Sequence, residues 1–379
     1  MKVVVGIPWR LDWDFSGLAK RMEACFETIS SLGVDINLYC LGPAKKKTNF
    51  SVSRIPVKTT PNIDVFSPLV NSIAFSHEFA KRVTKEEYSV LHCFNTTTLF
   101  LTDRKHLFQT ANPTYAFALD AVKGEYPKTL KYQRLLKYYA SVAELDKLEY
   151  EQANVIIAPS DVVKSNIVRC YGVEKSKVKV IPNGVSREEC SFERPIGRPE
   201  GLKIVLFPGT VQIMKGFHYL VEAMADVRKE FPETILLVCG RIHPYEYEIF
   251  KDLIDRKRKE SGIILAGFLP RDKLFKYYHL ADVCCIPLLF GTMSIAILEA
   301  VAHGLPVVTT SHSGFPEIEE VGIRIPAKDS DAISDAIITL LSDRELWRRK
   351  SENARKVIKN YLWDGIAKKF VEVYERLQN

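Results

Sequence analysis

The sequence predicts an α/β protein made of two Rossmann-like domains, each with a parallel sheet, facing one another across a cleft. Three observations carry that expectation. Short apolar or β-branched runs alternate with longer amphipathic stretches from end to end, the pattern of βαβ units. The segment 193–201, ERPIGRPEG, is rich in Pro, Gly and charge and reads as a linker. Beyond it, the order of strand, glycine-bearing turn and helix begins again. The expected division is 1–196 and 197–361, with a closing helix over 362–379. Such sheets bind ligands beyond the carboxyl ends of their strands, so a cleft between two of them would hold two substrates.

In the first half, Lys2-Val3-Val4-Val5-Gly6-Ile7 reads as a buried strand. A turn carrying Ser16-Gly17 follows, then a helix to about Leu32. Strands are expected over 34–39, 88–94, 107–110, 155–158 and 178–181. Helices are expected over 71–85 and 129–153, with Ser160 as N-cap of a third that runs to Tyr171. In the second half, strands are expected over 203–207, 234–239, 263–266, 283–286 and 307–309. Pro208-Gly209-Thr210 should turn, and a helix should cover 215–230. The chain should close with helices over 332–341, 343–360 and 364–377.

The chain has 379 residues, 46% hydrophobic and 26% charged, which excludes disordered, collagen-like and disulfide-scaffold classes. No apolar run approaches the roughly 18 residues of a membrane span. The opening MKVVVGIPWRLDWD reaches acidic residues too soon for a signal peptide. A cytoplasmic protein is therefore expected, with peripheral attachment to the inner membrane face left open. The eight cysteines are scattered without a CxxC pair and read as buried free thiols. Residues 1–198 hold 28 Lys and Arg against 21 Asp and Glu, whereas 199–379 hold 25 of each. The whole net charge of +7 thus sits in the first half, which suits an anionic partner. No nucleic-acid module accompanies it, so nucleic acid is not expected.

The chain lacks GxGxxG after a strand, GxxxxGK[ST], HExxH, GxSxG and EF-hand patterns, which removes support for hydride transfer, P-loop hydrolysis and zinc hydrolysis. The informative stretch is FGTMSIAILEAVAHGLPVVTTSHSGFPEIEE, residues 290–320. Gly291-Thr292-Met293-Ser294 is a tight turn entering a helix at Ile295, whose free N–H groups and dipole suit a diphosphate. Glu299 lies one turn into that helix, able to accept hydrogen bonds from a diol; a solvated helix position is the bland alternative. His303-Gly304-Leu305-Pro306 is a structural stop. Lys215, at the start of an earlier helix, would add a point charge to phosphates.

These landmarks, with FPGTVQIMKGFHYLVEA, ILLVCG, GFLPRDKLFKYYHLADVCCIP and EQANVIIAPSDVVKSNIVRCYGVEKSKVKVIPNGV, resemble the retaining GT-B glycosyltransferases of the family 4 type. Residues 140–330 carry specific motifs; 1–140 match only in pattern. The resemblance implies a nucleotide-sugar donor, no cofactor and no metal. It gives Lys215 the donor phosphates, Glu299 the ribose, and Ser294 and Ile295 the diphosphate. Gly267 would lie beside the base. Gly209 and Thr210 would border the phosphates, and Gly314, Phe315 and Glu317 the donor sugar. Ser16 and Gly17 would form the loop facing the donor phosphate. It also implies that NYLWDGIAKKFVEVYERL crosses back to the first domain. Three positions depart from the pattern: Gly291 stands where the family has a glutamate, Thr210 where it has an arginine, and Asn112 where it has a catalytic histidine. Asn112 can still donate to a sugar oxygen. In this family the leaving phosphate is thought to help deprotonate the acceptor on the same face, which requires no metal.

For the acceptor, the basic first half suggests a polar, phosphorylated or lipid-linked molecule. Residues 123–139 place Lys128, Lys131 and Arg134 at threefold spacing among leucines and tyrosines, which suits an anionic membrane surface or an ordinary amphipathic helix. The competing functions are a catalytically weakened subunit that binds nucleotide-sugar or glycan, and another GT-B enzyme such as a nucleotide-sugar epimerase.

Overall fold

The computed structural model describes residues 1–10, 17–42, 48–57, 65–102, 107–110, 114–190 and 201–378. It forms two compact units. The first comprises Met1–Asp120, Pro127–Gly184 and Trp363–Asn379; the second comprises Ala121–Tyr126 and Val185–Leu362. This corrects the expected division at 196/197 in two ways. The chain leaves the first unit at Gly184, ahead of the Pro- and Gly-rich segment. The six residues 121–126, which carry no boundary signal, group with the second unit.

The first unit holds β1 (Lys2–Ile7), α1 (Gly17–Ser31), β2 (Asp35–Cys40), β3 (Ser51–Arg54), α2 (Ser67–Val83), β4 (Val90–Phe94), β5 (Leu107–Thr110), α3 (Tyr115–Ala121), α4 (Leu130–Gln152), β6 (Val155–Ala158), α5 (Asp161–Tyr171) and β7 (Val178–Val180). Its seven strands run in the order β3-β2-β1-β4-β5-β6-β7, every neighbouring pair parallel. The run of valines in β1 follows from burial on both faces. Val3, Val5 and Ile7 point into one core with Phe26 of α1; Val4 points into the other with Phe75 and Phe79 of α2. Each such side chain contributes roughly 1.5–3 kcal/mol when fully buried. The terminal helix, Trp363–Gln378, brings Ile366, Ala367, Phe370 and Tyr374 into the first of these cores. There the Tyr374 hydroxyl lies 2.7 Å from Nδ1 of the buried His92. Ser160 caps α5 as expected, accepting from the Val163 N–H at 3.3 Å. The polar, half-exposed SVSR of β3 gave no apolar signal, because an edge strand buries little.

The loop after β4 is the unusual part of this unit. Asn95 and Thr96 have φ of 34° and 28°, a region that costs non-glycine residues of order 1–3 kcal/mol each. Glu149 of α4, itself buried, anchors the loop by accepting from the Thr98 N–H at 3.0 Å and from Thr98 Oγ1 at 2.7 Å. Burial pushes the Glu149 carboxyl up to about 7, and burial also raises its neighbour Asp146. The folded chain therefore holds this proton more tightly than the unfolded chain does. Stability from this group is greatest at low pH and falls as pH rises from about 4.5 to about 7. Glu149→Gln, which keeps an acceptor for Thr98, is expected to flatten that slope by about 2–3 kcal/mol, leaving the share of Asp146. Thermal midpoints measured across this pH range test it; an unchanged slope would mean that Glu149 titrates as an exposed carboxylate.

The second unit holds β8 (Lys203–Pro208), α6 (Phe217–Glu230), β9 (Thr234–Cys239), α7 (Tyr247–Lys257), β10 (Ile263–Leu265), α8 (Arg271–Leu280), β11 (Val283–Ile286), α9 (Ile295–Ala302), β12 (Val307–Thr310), α10 (Ile318–Val321), β13 (Gly322–Ile325), α11 (Ser330–Ser342) and α12 (Arg344–Val357). The terminal helix is α13. The strand order is β10-β9-β8-β11-β12-β13, again all parallel. β8 lies between β9 and β11, so the strand order reverses there, and in open α/β sheets ligands bind beyond the carboxyl ends of the strands at such a reversal. α11 and α12 begin with Asp329 and Asp343 as N-caps, accepting from the Ala332 and Leu346 N–H groups. None of the eight cysteines forms a disulfide; six are buried and Cys170 and Cys190 half-buried. Among the described residues, no helix is long and apolar enough to cross a membrane.

Candidate functional site

The carboxyl edge of the second sheet gathers most of the predicted residues. β8 ends at Pro208, and Gly209 follows with φ of +105°, a conformation that only glycine adopts without strain. Its N–H donates to the Cys239 carbonyl at 2.7 Å, tying the turn to the end of β9. A side chain on Gly209 would meet Nζ of Lys215, since a Cβ there would lie 2.6 Å from that nitrogen. The missing side chain is therefore the space the ammonium occupies. Lys215 does not open α6 as the sequence suggested. It ends a short 3-10 turn, Ile213–Lys215, and Gly216 in the left-handed conformation separates that turn from the helix. Among the described residues, no hydrogen bond or ion pair engages the Lys215 ammonium. Burial pushes its pKa down to about 8, against the opposing pull of the Glu299 carboxylate. Thr210 is half-buried beside it.

On the other side of the reversal, α9 begins directly after Ser294, which makes no side-chain cap. The Ser294 N–H donates to the Ser313 carbonyl, and the first helical bond runs from Leu298 N–H to the Ser294 carbonyl at 3.1 Å. The N–H groups of Ile295, Ala296 and Ile297 lie ahead of that bond, at the positive end of the helix. A buried ammonium and an uncapped helix start, at adjoining strand ends, are each chemically suited to an anion.

Glu299 is only 7% exposed, which removes the solvated-position alternative. Nor is it a bare carboxylate. Oε1 accepts from Arg271 Nη2 at 2.9 Å and Oε2 from the Tyr278 hydroxyl at 3.0 Å. Arg271 also pairs with Glu189 at 2.6 Å and lies over the Phe275 ring. Sequence reasoning missed Arg271, Tyr278 and Glu189, because nothing in their local pattern announces a partner on another element. His303 supports Glu299 from behind, with Nδ1 2.7 Å from the Glu299 carbonyl; burial lowers its pKa to about 4, so it is neutral.

Phe315 is 2% exposed and packs on Tyr361. Glu317 accepts from the Tyr361 hydroxyl at 2.6 Å, so both residues face the second unit's last turn, and Gly314, with φ of 69°, shapes the bend before them. Gly291 is not a vacancy for a lost glutamate, since a Cβ there would lie 2.8 Å from the His312 carbonyl. Gly291→Glu is accordingly expected to destabilise the fold by about 1–3 kcal/mol rather than to build a carboxylate into the site. A circular dichroism melt checks this; an unchanged midpoint would mean that the turn reopens freely. Gly267 has φ of +68° and open space around it. Next to it, Phe268 carries the Arg241 guanidinium over its ring at 5.1 Å.

Ser16 and Asn112 lie outside the described residues, and Gly17 opens α1. The basic stretch 123–139 splits in two. Glu125 and Tyr126 bond within the second unit. Lys128, Lys131 and Arg134 are exposed at the start of α4, beside Leu130, which is 73% exposed.

Comparison with known proteins agrees with this geometry. Residues 15–189 match the model of Glycosyltransferase Family 4, and residues 191–357 that of Glycosyl transferases group 1. An uncharacterized glycosyltransferase of Methanocaldococcus jannaschii is 30% identical over 307 residues, covering 76% of each chain. A D-inositol 3-phosphate glycosyltransferase of Corynebacterium urealyticum is 29% identical over 245 residues, 60% of this chain and 58% of that protein. Among solved structures, sucrose-phosphate synthase of Thermosynechococcus elongatus superposes with a TM-score of 0.79 at 19% identity, covering 99% of this chain and 98% of that one. That likeness carries the fold, which is GT-B.

Proposed function

The chain belongs to the glycosyltransferases of group 1 and family 4, and we propose that this transferase moves a sugar from a nucleotide-sugar donor to a polar, phosphorylated or lipid-linked acceptor. The observation that carries the donor half is the Lys215 ammonium, buried and without a partner among the described residues, with the uncapped start of α9 and a buried carboxylate, Glu299, on that helix. A diphosphate would meet the ammonium and the helix N–H groups, and the ribose hydroxyls would donate to Glu299. In the transfer, the bond between the anomeric carbon and the phosphate oxygen breaks while the acceptor oxygen bonds to that carbon on the same face. The acceptor proton passes to the departing phosphate, and the anomeric configuration is retained. Lys215 and the helix start stabilise the charge that develops on the leaving group. No metal is assigned a role in this reading.

A phosphorylated acceptor accords with the excess of Lys and Arg in the first half and with the acceptor named for the Corynebacterium relative. A lipid-linked one is favoured by Leu130, exposed among Lys128, Lys131 and Arg134, where an anionic surface would be met by charge and apolar contact together. Sedimentation with anionic and neutral vesicles separates the two: binding to anionic vesicles that Leu130→Ser and Lys131→Glu abolish supports the lipid surface.

The donor is tested by thermal unfolding against UDP, GDP, ADP and their common sugar conjugates. A ligand at a hundred times its Kd stabilises the native state by about 2.7 kcal/mol. A shift with one base fixes the donor class; no shift with any would overturn the donor reading.

A further inference from the structure

We propose that Glu246 and Tyr126 are positioning residues that hold the turn bearing Lys215, so that a six-residue segment from the first half of the chain sets the lysine's place over Gly209. The proposal deepens the donor reading and takes its functional meaning from it. The turn Ile213–Lys215 lacks a local cap, since Gln212 at its start makes no side-chain bond to it. Glu246, thirty-three residues on, does that work: its Oε2 accepts from the Ile213 N–H at 2.8 Å. Its Oε1 accepts from the Tyr126 hydroxyl at 2.5 Å. Glu246 is 1% exposed, with no cation paired to it among the described residues, and burial raises its pKa. A buried carboxyl of this kind is costly unless its hydrogen bonds hold something in place.

The rest of the turn is fastened too. The Met214 carbonyl accepts from the Leu289 N–H at 2.9 Å, beyond β11. Gly216 passes so close to the Pro287 carbonyl that a side chain there would collide with it. On the far side of the lysine, Glu125 meets His218 at 3.0 Å and Tyr219 at 3.2 Å in the first turn of α6, and Lys328 at 2.6 Å. Glu125 and Tyr126 therefore bracket Lys215, one through the first turn of α6 and the other through Glu246. Neighbours in sequence on both sides of the lysine are pinned by the same short segment, which explains why residues 121–126 belong to the second unit.

The test reads Lys215 directly and requires no substrate. Competitive acetylation of the full chain with acetic anhydride, followed by mass spectrometry from neutral to strongly alkaline pH, gives the titration midpoint of this one amine. In the parent protein it should lie near 8. Glu246→Ala and Tyr126→Phe should let the turn move outward and carry the midpoint up toward the ordinary lysine range. Glu246→Gln should leave it near the parental value, because its carbonyl can accept from Ile213 and its amide can donate to the tyrosine oxygen. Unmoved midpoints in folded Glu246→Ala and Tyr126→Phe would overturn the proposal, as would a Gln variant that behaves like Ala. Should Glu246→Ala fail to fold, Tyr126→Phe, which removes one hydroxyl, decides alone. Nucleotide binding measured on the same samples keeps the two readings apart. A shifted midpoint with no nucleotide bound by the parent upholds the positioning role and removes the donor role.

Discussion

Lys215→Ala is expected to lower sugar transfer a hundredfold or more while the fold stays intact. The charge that develops on a departing diphosphate needs a preorganised cation, and loss of one such group typically costs about a hundred- to a thousandfold, about 2.7–4 kcal/mol. Lys215 is suited to this because its ammonium lies over Gly209 with no ion-pair partner among the described residues. The same burial makes the residue unfavourable for stability. Its pKa is lowered to about 8, so the unfolded chain holds this proton more tightly than the folded one. Stability should rise as pH climbs from about 8 toward the ordinary lysine value near 10.5. Lys215→Met should therefore raise the thermal midpoint at neutral pH and lose that pH dependence, even as turnover disappears. In the parent, donor binding should weaken as pH rises through about 8, where the cation is lost. Turnover within a few fold of the parent, measured by release of the nucleotide diphosphate, would make Lys215 a structural residue.

Glu299→Ala is expected to weaken nucleotide binding by about 1.5–3 kcal/mol, tenfold to over a hundredfold in Kd. The loss should exceed that of a surface carboxylate because Glu299 is buried and its oxygens are held in place by Arg271 and Tyr278. Those partners orient the carboxylate, and each carboxylate oxygen can accept more than one bond, as a diol requires. Removing Glu299 also leaves Arg271 with Glu189 as its remaining carboxylate partner among the described residues, so the variant should be less stable as well as weaker in binding. Arg271→Ala separates the two effects. It keeps the carboxylate but frees its orientation, so it should weaken binding by less than Glu299→Ala. Titration calorimetry with the nucleotide found by the thermal screen measures both. Binding unchanged in Glu299→Ala would remove Glu299 from the ribose.

Much of this was legible in the chain itself. Alternating apolar runs and helices gave two parallel sheets, since a strand buried on both faces must read as Val-Val-Val or Ile-Leu-Leu-Val-Cys whatever it packs against. The motif from Gly291 to Glu317 located the helix start and Glu299, because an anion site at a helix N-terminus is local in sequence.

What the sequence by itself determined is most of the buried strands and amphipathic helices, the parallel character of the sheets and the family, all of which rest on interactions within a few residues or on burial periodicity. Only the tertiary structure decided which groups meet: Arg271 with Glu299, Glu246 with Ile213, and Tyr126 with Glu246. It also decided that Gly291 has no room for a side chain and that Gly209 leaves room for an ammonium. These outcomes depend on distances between strands and loops far apart in the chain. No local pattern encodes such distances, because the energy of a buried hydrogen bond or a steric clash exists only once the two partners are packed together.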